Sequence, residues 1–467
     1  MGTRKLTLWS GVGLVMSNMI GTGVLTTAGY LSPELSAAHI LLGWVVGGVV
    51  ALAGAVAYAA LARQVPRSGG EYRYLSSLLH PAAGYVAGWA SLLVGFTVPV
   101  AVTALAAGTF AETVIPGLPS RLTAVAVIVA VTAVHAANLR ASKWTQDVLA
   151  AAMVLLLVGF IAIGLTVGDT TLPARTPEPG AAGVPVRAFF SSLILIMFCY
   201  SGWNAAIYAS EEFEDPRRDV PRAMLVGCVL VTVLYLLVNA VLVMNLTPSD
   251  MEGWSHGDTR RITLAHVVME DLLGSGTARV MSLLIIVALM SAISAMTVIG
   301  PRVYAAMARD RFLPAVLAAR QGRPPFGAVL LQSGLAIVLV FVSEFRDMLN
   351  NVGAILAIVS AVTMLALFRR SRWRAGERPS TPALVGALVF ASMSVSMVFY
   401  AMQASETVRI AGLEIPTLAL WMAGIVAVAT IPYVVTRMVR PDAGAPRRRR
   451  SDDQDTTDWS ARRSRAR

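Results

Sequence analysis

Apolar residues run along the chain in twelve long blocks separated by short polar stretches. The blocks cover about 9–30, 39–62, 84–111, 120–137, 146–167, 188–210, 223–246, 277–300, 326–343, 349–368, 382–403 and 415–437. Each meets or approaches the roughly 20 helical residues that a bilayer core about 30 Å thick requires. They are continuous rather than alternating and about twice the length of a barrel strand, so they predict transmembrane helices. The first does not read as a cleavable signal peptide. Arg4 and Lys5 are the only charges ahead of it, it continues to Tyr30, and no small-residue cleavage site follows.

The polar stretches give an orientation. With the N-terminus inside and the loops assigned alternately, 30 of the 38 Lys and Arg residues fall on the inner face and 8 on the outer. Omitting the tail still leaves 20 against 8, so the bias does not depend on it. The expectation is an all-α polytopic membrane protein of about twelve spans, in the plasma membrane, with both termini cytoplasmic.

Composition agrees. The chain is 56% hydrophobic and 14% charged, whereas ordinary soluble domains carry about 25% charge. The net charge of +11 raises the question of a nucleic-acid partner. Part of it lies in residues 438–467, where the basic run Arg447–Arg450 is followed by the acidic Ser451–Asp455, and the rest sits in short loops. That segment reads as a disordered cytoplasmic tail, and no nucleic-acid partner is expected. Cys199 and Cys228 both lie in apolar stretches and suggest neither a disulfide nor a metal cluster. Histidines 39, 80, 135, 256 and 266 are too scattered for a zinc site. No spacing matches a nucleophilic triad, a phosphate-binding loop or a nucleotide-binding domain. The chain reads as neither an enzyme nor a cofactor protein, and no obligate protein partner is evident.

Two spans are poorly suited to simple anchoring. The first contains Met16-Ser17-Asn18-Met19-Ile20-Gly21-Thr22-Gly23-Val24-Leu25, and the sixth contains Phe198-Cys199-Tyr200-Ser201-Gly202-Trp203-Asn204. Small residues at such positions serve helix packing on the plainer reading. On the other reading they let each helix unwind at mid-depth. Bare N–H and C=O groups then become available to a carboxylate and a cation. The first and sixth spans are corresponding members of two successive five-helix units, which favours the second reading.

Other polar groups also keep two readings. Ser291, Ser294 and Thr297 recur every three residues in the eighth span, as helix cross-links or as an ion site for Na⁺. Glu211 and Glu212, at the inner end of the sixth span, belong to an interfacial ion-pair cluster or to an inner gate. No span has a carboxylate near its centre.

The series Phe198-Cys-Tyr-Ser-Gly-Trp-Asn204, Glu211-Glu212 and Pro216-Arg-Arg-Asp-Val-Pro-Arg-Ala223 resembles the amino acid–polyamine–organocation superfamily of permeases. The likeness is to its L-type amino acid transporter-like branch. Ile20-Gly-Thr-Gly-Val24, Pro66-Arg-Ser-Gly-Gly-Glu-Tyr72 and Arg309-Asp-Arg-Phe-Leu-Pro314 are similar to further elements of that family, in the same order. The resemblance covers roughly residues 6–437.

It implies the five-plus-five inverted-repeat fold of the bacterial leucine transporter. The repeats would be about 9–167 and 188–368, with extra helices at 382–403 and 415–437 and with helices one and six broken. It further implies that N–H groups around Ile20, Gly21, Thr22 and Gly23 hold a substrate carboxylate. Carbonyls around Phe198, Cys199 and Ser201 would receive the α-amino group. Phe198 would act as an outer gate, while Tyr200, Gly202, Trp203 and Asn204 shape the pocket and Gly88 and Trp89 line another wall. Many relatives carry a lysine in the fifth helix where sodium-coupled members bind sodium. Here the matching position is Met153 or Val154, which leaves Na⁺ or H⁺ coupling open. The expected function is alternating-access transport of an amino acid, neutral because no carboxylate is evident near the pocket. A membrane sensor that binds an amino acid without moving it is the alternative.

Overall fold

The computed structural model describes residues 5–31, 35–137, 139–171, 185–246, 260, 262–318, 325–342, 345–369, 373, 378–405, 407–410 and 413–439. The tail at 440–467 lies outside the described residues. The chain opens with α1 (Leu8–Met19), α2 (Gly23–Leu31), α3 (Ala37–Gln64), α4 (Gly70–Leu78) and α5 (Pro81–Ala90). A π-helical stretch, Ser91–Thr97, joins α5 to α6 (Val98–Val114), followed by α7 (Ser120–Ala137) and α8 (Leu139–Thr166). Next come α9 (Val186–Tyr200), α10 (Ala205–Tyr208), α11 (Pro216–Met244), α12 (Leu264–Leu273) and α13 (Ser275–Arg309). The chain continues through α14 (Phe326–Val342), α15 (Phe345–Met364) and α16 (Thr381–Ala404). A short antiparallel hairpin, β1 (Thr407–Ile410) and β2 (Leu413–Pro416), precedes α17 (Thr417–Val439) and pairs Thr407 with Pro416 and Ile410 with Leu413.

Eight helical stretches among the described residues are long and apolar enough to cross a bilayer. Four shorter apolar helices, at 120–136, 186–200, 326–342 and 352–368, stand at the other predicted positions. The 186–200 helix is short because the sixth block breaks after Tyr200.

Burial separates the centre from the rim. In the first, third and sixth of these stretches (Leu8–Leu31, Pro81–Val114 and Ser275–Arg309), 72%, 78% and 67% of the apolar window is enclosed. For Thr417–Thr436 the share is 17%, so this helix flanks the bundle. The outward faces present Leu155, Val395 and Ile431 rather than charges, a surface suited to lipid. Small residues set the closest packing. A β-carbon on Gly43 or Gly47 of α3 would stand 2.7 Å from Ile196 of α9, so neighbouring backbones approach without a side chain between them.

Candidate functional site

The first apolar block is interrupted where its glycines fall. Helix α1 closes at Met19, with the Ile20 N–H donating to Met16 O at 2.8 Å, and Ile20 turns extended at φ −77°, ψ 98°. Helix α2 starts at Gly23, leaving Ile20–Thr22 outside either helix. The sixth block is interrupted likewise. Helix α9 ends at Tyr200, Ser201 leaves helical geometry at ψ 151°, Gly202 takes φ +96°, and α10 begins at Ala205.

The two interruptions touch. A β-carbon on Gly202 would lie 2.7 Å from Asn18 O, and one on Gly23 would lie 3.2 Å from Cys199 Cβ and closer still to its sulfur. Each glycine is thus a point where one break passes against the other. Gly21 differs: its β-carbon would meet only Thr103 Oγ1 at 3.9 Å and Ala292 Cβ at 4.0 Å.

One side chain ties the breaks together. Tyr235, wholly buried on α11, directs its hydroxyl to Met19 O at 2.6 Å and Cys199 O at 2.9 Å. These are carbonyls at the ends of α1 and α9, which lack partners further along their own helices. Tyr235→Phe removes the shared donor, leaves the ring packing intact, and is expected to cost about 1–3 kcal/mol. A lowered unfolding temperature in detergent checks this, and an unchanged one would contradict it.

A cavity lies beside the breaks. Asn18, Met197, Ser201, Gly202, Trp203 and Asn204 form one wall. Ser91, Gly95 and Phe96 of the π-helical stretch form another, opposed by Gly353 and Leu356 of α15. The π geometry widens the helix locally, a device common at functional sites. Of the residues expected at the site, Ser201, Gly202, Trp203 and Asn204 line this cavity. Ile20, Gly21, Thr22, Gly23, Phe198, Cys199 and Tyr200 are not among the residues that line it. Tyr200 points away, its hydroxyl donating to Trp44 O at 2.9 Å. The third-helix wall lies past Gly88 and Trp89, and Gly88 instead packs on Met307 of α13.

Two of the three carbonyls expected to receive an amino group are engaged within the protein. Phe198 O accepts from the Ser201 N–H at 3.0 Å and its hydroxyl at 2.6 Å, and Cys199 O accepts from Tyr235. Among the described residues, no hydrogen-bond partner faces buried Asn18 Oδ1 or Thr22 Oγ1. Asn18 Oδ1, on the cavity wall, is therefore an acceptor available to a ligand.

The expectation of no carboxylate near the pocket is corrected. Glu71, 3% exposed on α4, borders the cavity. Its Oε1 accepts from Asn204 Nδ2 at 2.6 Å and the Tyr58 hydroxyl at 3.2 Å, and its Oε2 accepts from the Tyr208 hydroxyl at 2.6 Å. Burial raises its pKa above the ordinary 4.5, while the bonds from Tyr208, Tyr58 and Asn204 pull the other way. Both oxygens are occupied by the protein's own donors. The residue escaped the sequence argument because it sits on α4, in the stretch between the second and third apolar blocks, which folds back against the pocket.

The eighth-span hydroxyls do not converge. Ser291 bonds Ser17 of α1 at 3.3 Å, Ser294 bonds Gln146 of α8 at 2.6 Å, and Thr297 turns back to Ile293 O at 2.7 Å. Met153, one of the two fifth-span positions (with Val154) that the resemblance singled out, is fully buried. Glu211 and Glu212 reach across to α13. Arg302 grips Glu212 through both oxygens, one at 3.0 Å, and Arg309 lies 3.7 Å from Glu211. Asp310 beside them binds Arg73 at 2.8 Å and the Tyr72 hydroxyl at 2.6 Å. These pairs fasten α4, the segment after α10 and α13 at one end of the bundle.

The amino acid permease family matches the chain over residues 6–430. The chain is 26% identical to the large neutral amino acids transporter small subunit 2 of Mus musculus, over 88% of this chain and 79% of the relative. It is 27% identical to the Asc-type amino acid transporter 1 of Mus musculus, over 83% and 74% of the two chains. It is 29% identical to the b(0,+)-type amino acid transporter 1 of Mus musculus, over 53% of each.

Proposed function

The chain belongs to the amino acid permease family, and from that premise we propose that it moves a neutral amino acid across the plasma membrane by alternating access. Twelve spans, ten of them arranged as two five-helix inverted repeats and two following as extra helices, with both termini cytoplasmic, would carry it. The observation that supports this most is the cavity lined by the second interruption, Ser201–Asn204, and by Asn18 just ahead of the first. Peptide groups near Ile20–Gly23 would hold the carboxylate, with the ammonium seated against the 198–201 carbonyls and Asn18 Oδ1.

Neutral cargo follows from the walls. Phe96, Met197, Leu356 and Phe390 are apolar, and Glu71, the acid at the rim, already accepts three hydrogen bonds. A cationic side chain would have to displace them at several kcal/mol. The names of the large neutral amino acid relatives point the same way. Rocking of the bundle would alternately break the Arg302–Glu212 and Arg309–Glu211 pairs and exclude solvent from the other side. The chain is proposed to do this without an obligate protein partner.

The test is counterflow of a radiolabelled amino acid panel in proteoliposomes containing this chain alone. Saturable exchange of neutral L-amino acids is expected, competed by the free acids but not by their methyl esters, which lack the carboxylate. Ligand binding without movement would favour a sensor instead.

A further inference from the structure

Among the described residues, three glycines line the cavity: Gly95, Gly202 and Gly353. The fold explains two of them. Gly202 takes φ +96° against Asn18, and a β-carbon on Gly353 would stand 2.6 Å from Ile194 O of α9. Gly95, in the π-helical stretch, has neither reason. Its backbone needs no positive φ. A β-carbon there would meet Leu356 Cδ2 of α15 at 3.5 Å, Ala90 O at 3.8 Å and Ser91 Cβ at 3.9 Å, all ordinary contacts. Glycine weakens a helix, so what Gly95 supplies is the room its missing side chain leaves in the cavity.

That room faces one side chain free to give way. Phe96, next on the same wall, is held: its ring meets Tyr208 edge-on with centroids 5.0 Å apart. It also lies 2.8 Å from where a β-carbon on Gly300 would stand, so α13 backs it closely. Leu356 is half-buried and lines the cavity opposite Gly95. Met197 and Met296 complete an apolar lining with unbranched chains that adapt to irregular shapes. A substrate whose ammonium is seated near Asn18 has its side chain left to meet the π-helical stretch and α15.

We propose that Gly95 and Leu356 together set the largest side chain the protein carries. An apolar side chain of leucine or phenylalanine size packs over the bare backbone at Gly95 and turns Leu356 aside. Any side chain at position 95 takes up that room. This rests on the transport reading above and adds the pair of residues that selects cargo by size.

The test measures kcat/KM for alanine, valine, leucine and phenylalanine by counterflow in proteoliposomes of the full chain. The readout is the ratio of the largest to the smallest amino acid carried. One methylene in an apolar pocket is worth about 10–200-fold in discrimination, so Gly95→Ala should lower this ratio by about tenfold, chiefly through KM. Adding Leu356→Ala to that variant should return the ratio to within about threefold of wild type, because room lost on one wall is restored on the other. Leu356→Ala alone should move the ratio upward, and it decides should Gly95→Ala not fold. A merely structural role for either residue would slow all substrates alike and leave the ratio unmoved. An unmoved ratio in either single variant, no recovery in the double variant, or a wild type that carries alanine but neither leucine nor phenylalanine would each overturn the proposal. A wild type that exchanges no neutral amino acid would overturn the transport reading beneath it as well.

Discussion

Replacing Gly202 with alanine should lower amino acid uptake by about a hundredfold or more while the protein still inserts, because displacements near 1 Å at a binding centre have effects of that size. Two causes act together. The backbone there holds φ +96°, which L side chains rarely adopt. The new methyl would also lie 2.7 Å from Asn18 O, at the contact between the two interruptions. The sixth-helix break must move off the first, and the cavity wall moves with it. Gly23→Val acts at the other contact, where the side chain would drive into Cys199. Gly21→Ala is the control: its methyl has ordinary contacts near 4 Å, so the fold survives and a loss of uptake would report on the substrate itself. Radiolabel uptake, with membrane insertion checked on the same preparation, separates these cases. Near-normal uptake by Gly202→Ala would contradict the account.

Glu71→Leu should destabilise the protein by about 3–5 kcal/mol and abolish transport. The Tyr58 and Tyr208 hydroxyls and the Asn204 amide all donate to this carboxylate, and leucine leaves them buried without an acceptor. The raised pKa shows that enclosing the acid is itself unfavourable, so loss of the charge alone does not explain the damage. Its sign has a consequence for pH. The folded state holds this proton more tightly than the unfolded chain, so Glu71's contribution is complete below about 4.5 and declines as pH rises through its raised value. Removing the donors together with the acid, as Tyr58→Phe, Asn204→Leu, Tyr208→Phe and Glu71→Leu in one chain, should recover much of the stability but not transport. Thermal unfolding in detergent measures both variants. A stable Glu71→Leu single variant would contradict the network's role.

Hydropathy made the helical membrane architecture legible, because a lipid-facing helix has to be apolar over its length. The gaps between α1 and α2 and between α9 and α10 fall at Gly-x-Gly and Ser-Gly, which the sequence left open between close packing and unwinding. What escaped depended on tertiary contact. Tyr235 lies in an apolar run with nothing beside it to signal that its hydroxyl meets two helix ends. Glu71 belongs to a loop motif that reads as interfacial until the chain folds back.

The eighth-span hydroxyls show the limit of periodicity. A spacing of three on a helix of 3.6 residues per turn rotates each side chain by about 60°, so Ser291 and Thr297 differ by about 120°. They therefore serve α1 and their own backbone, while Ser294 serves α7 and α8. The wall after Trp89 escaped for a similar reason, since nothing in Ser91–Thr97 announces a π-helix.

A structure determined with the neutral amino acid that exchanges best tests the central claim most directly. The account predicts the ligand carboxylate within about 2.7–3.2 Å of N–H groups between Ile20 and Gly23, and the ammonium at similar distance from Asn18 Oδ1 or the 198–201 carbonyls. A ligand bound away from both interruptions, or helices continuous through 20–22 and 201–204 around a bound ligand, would contradict it.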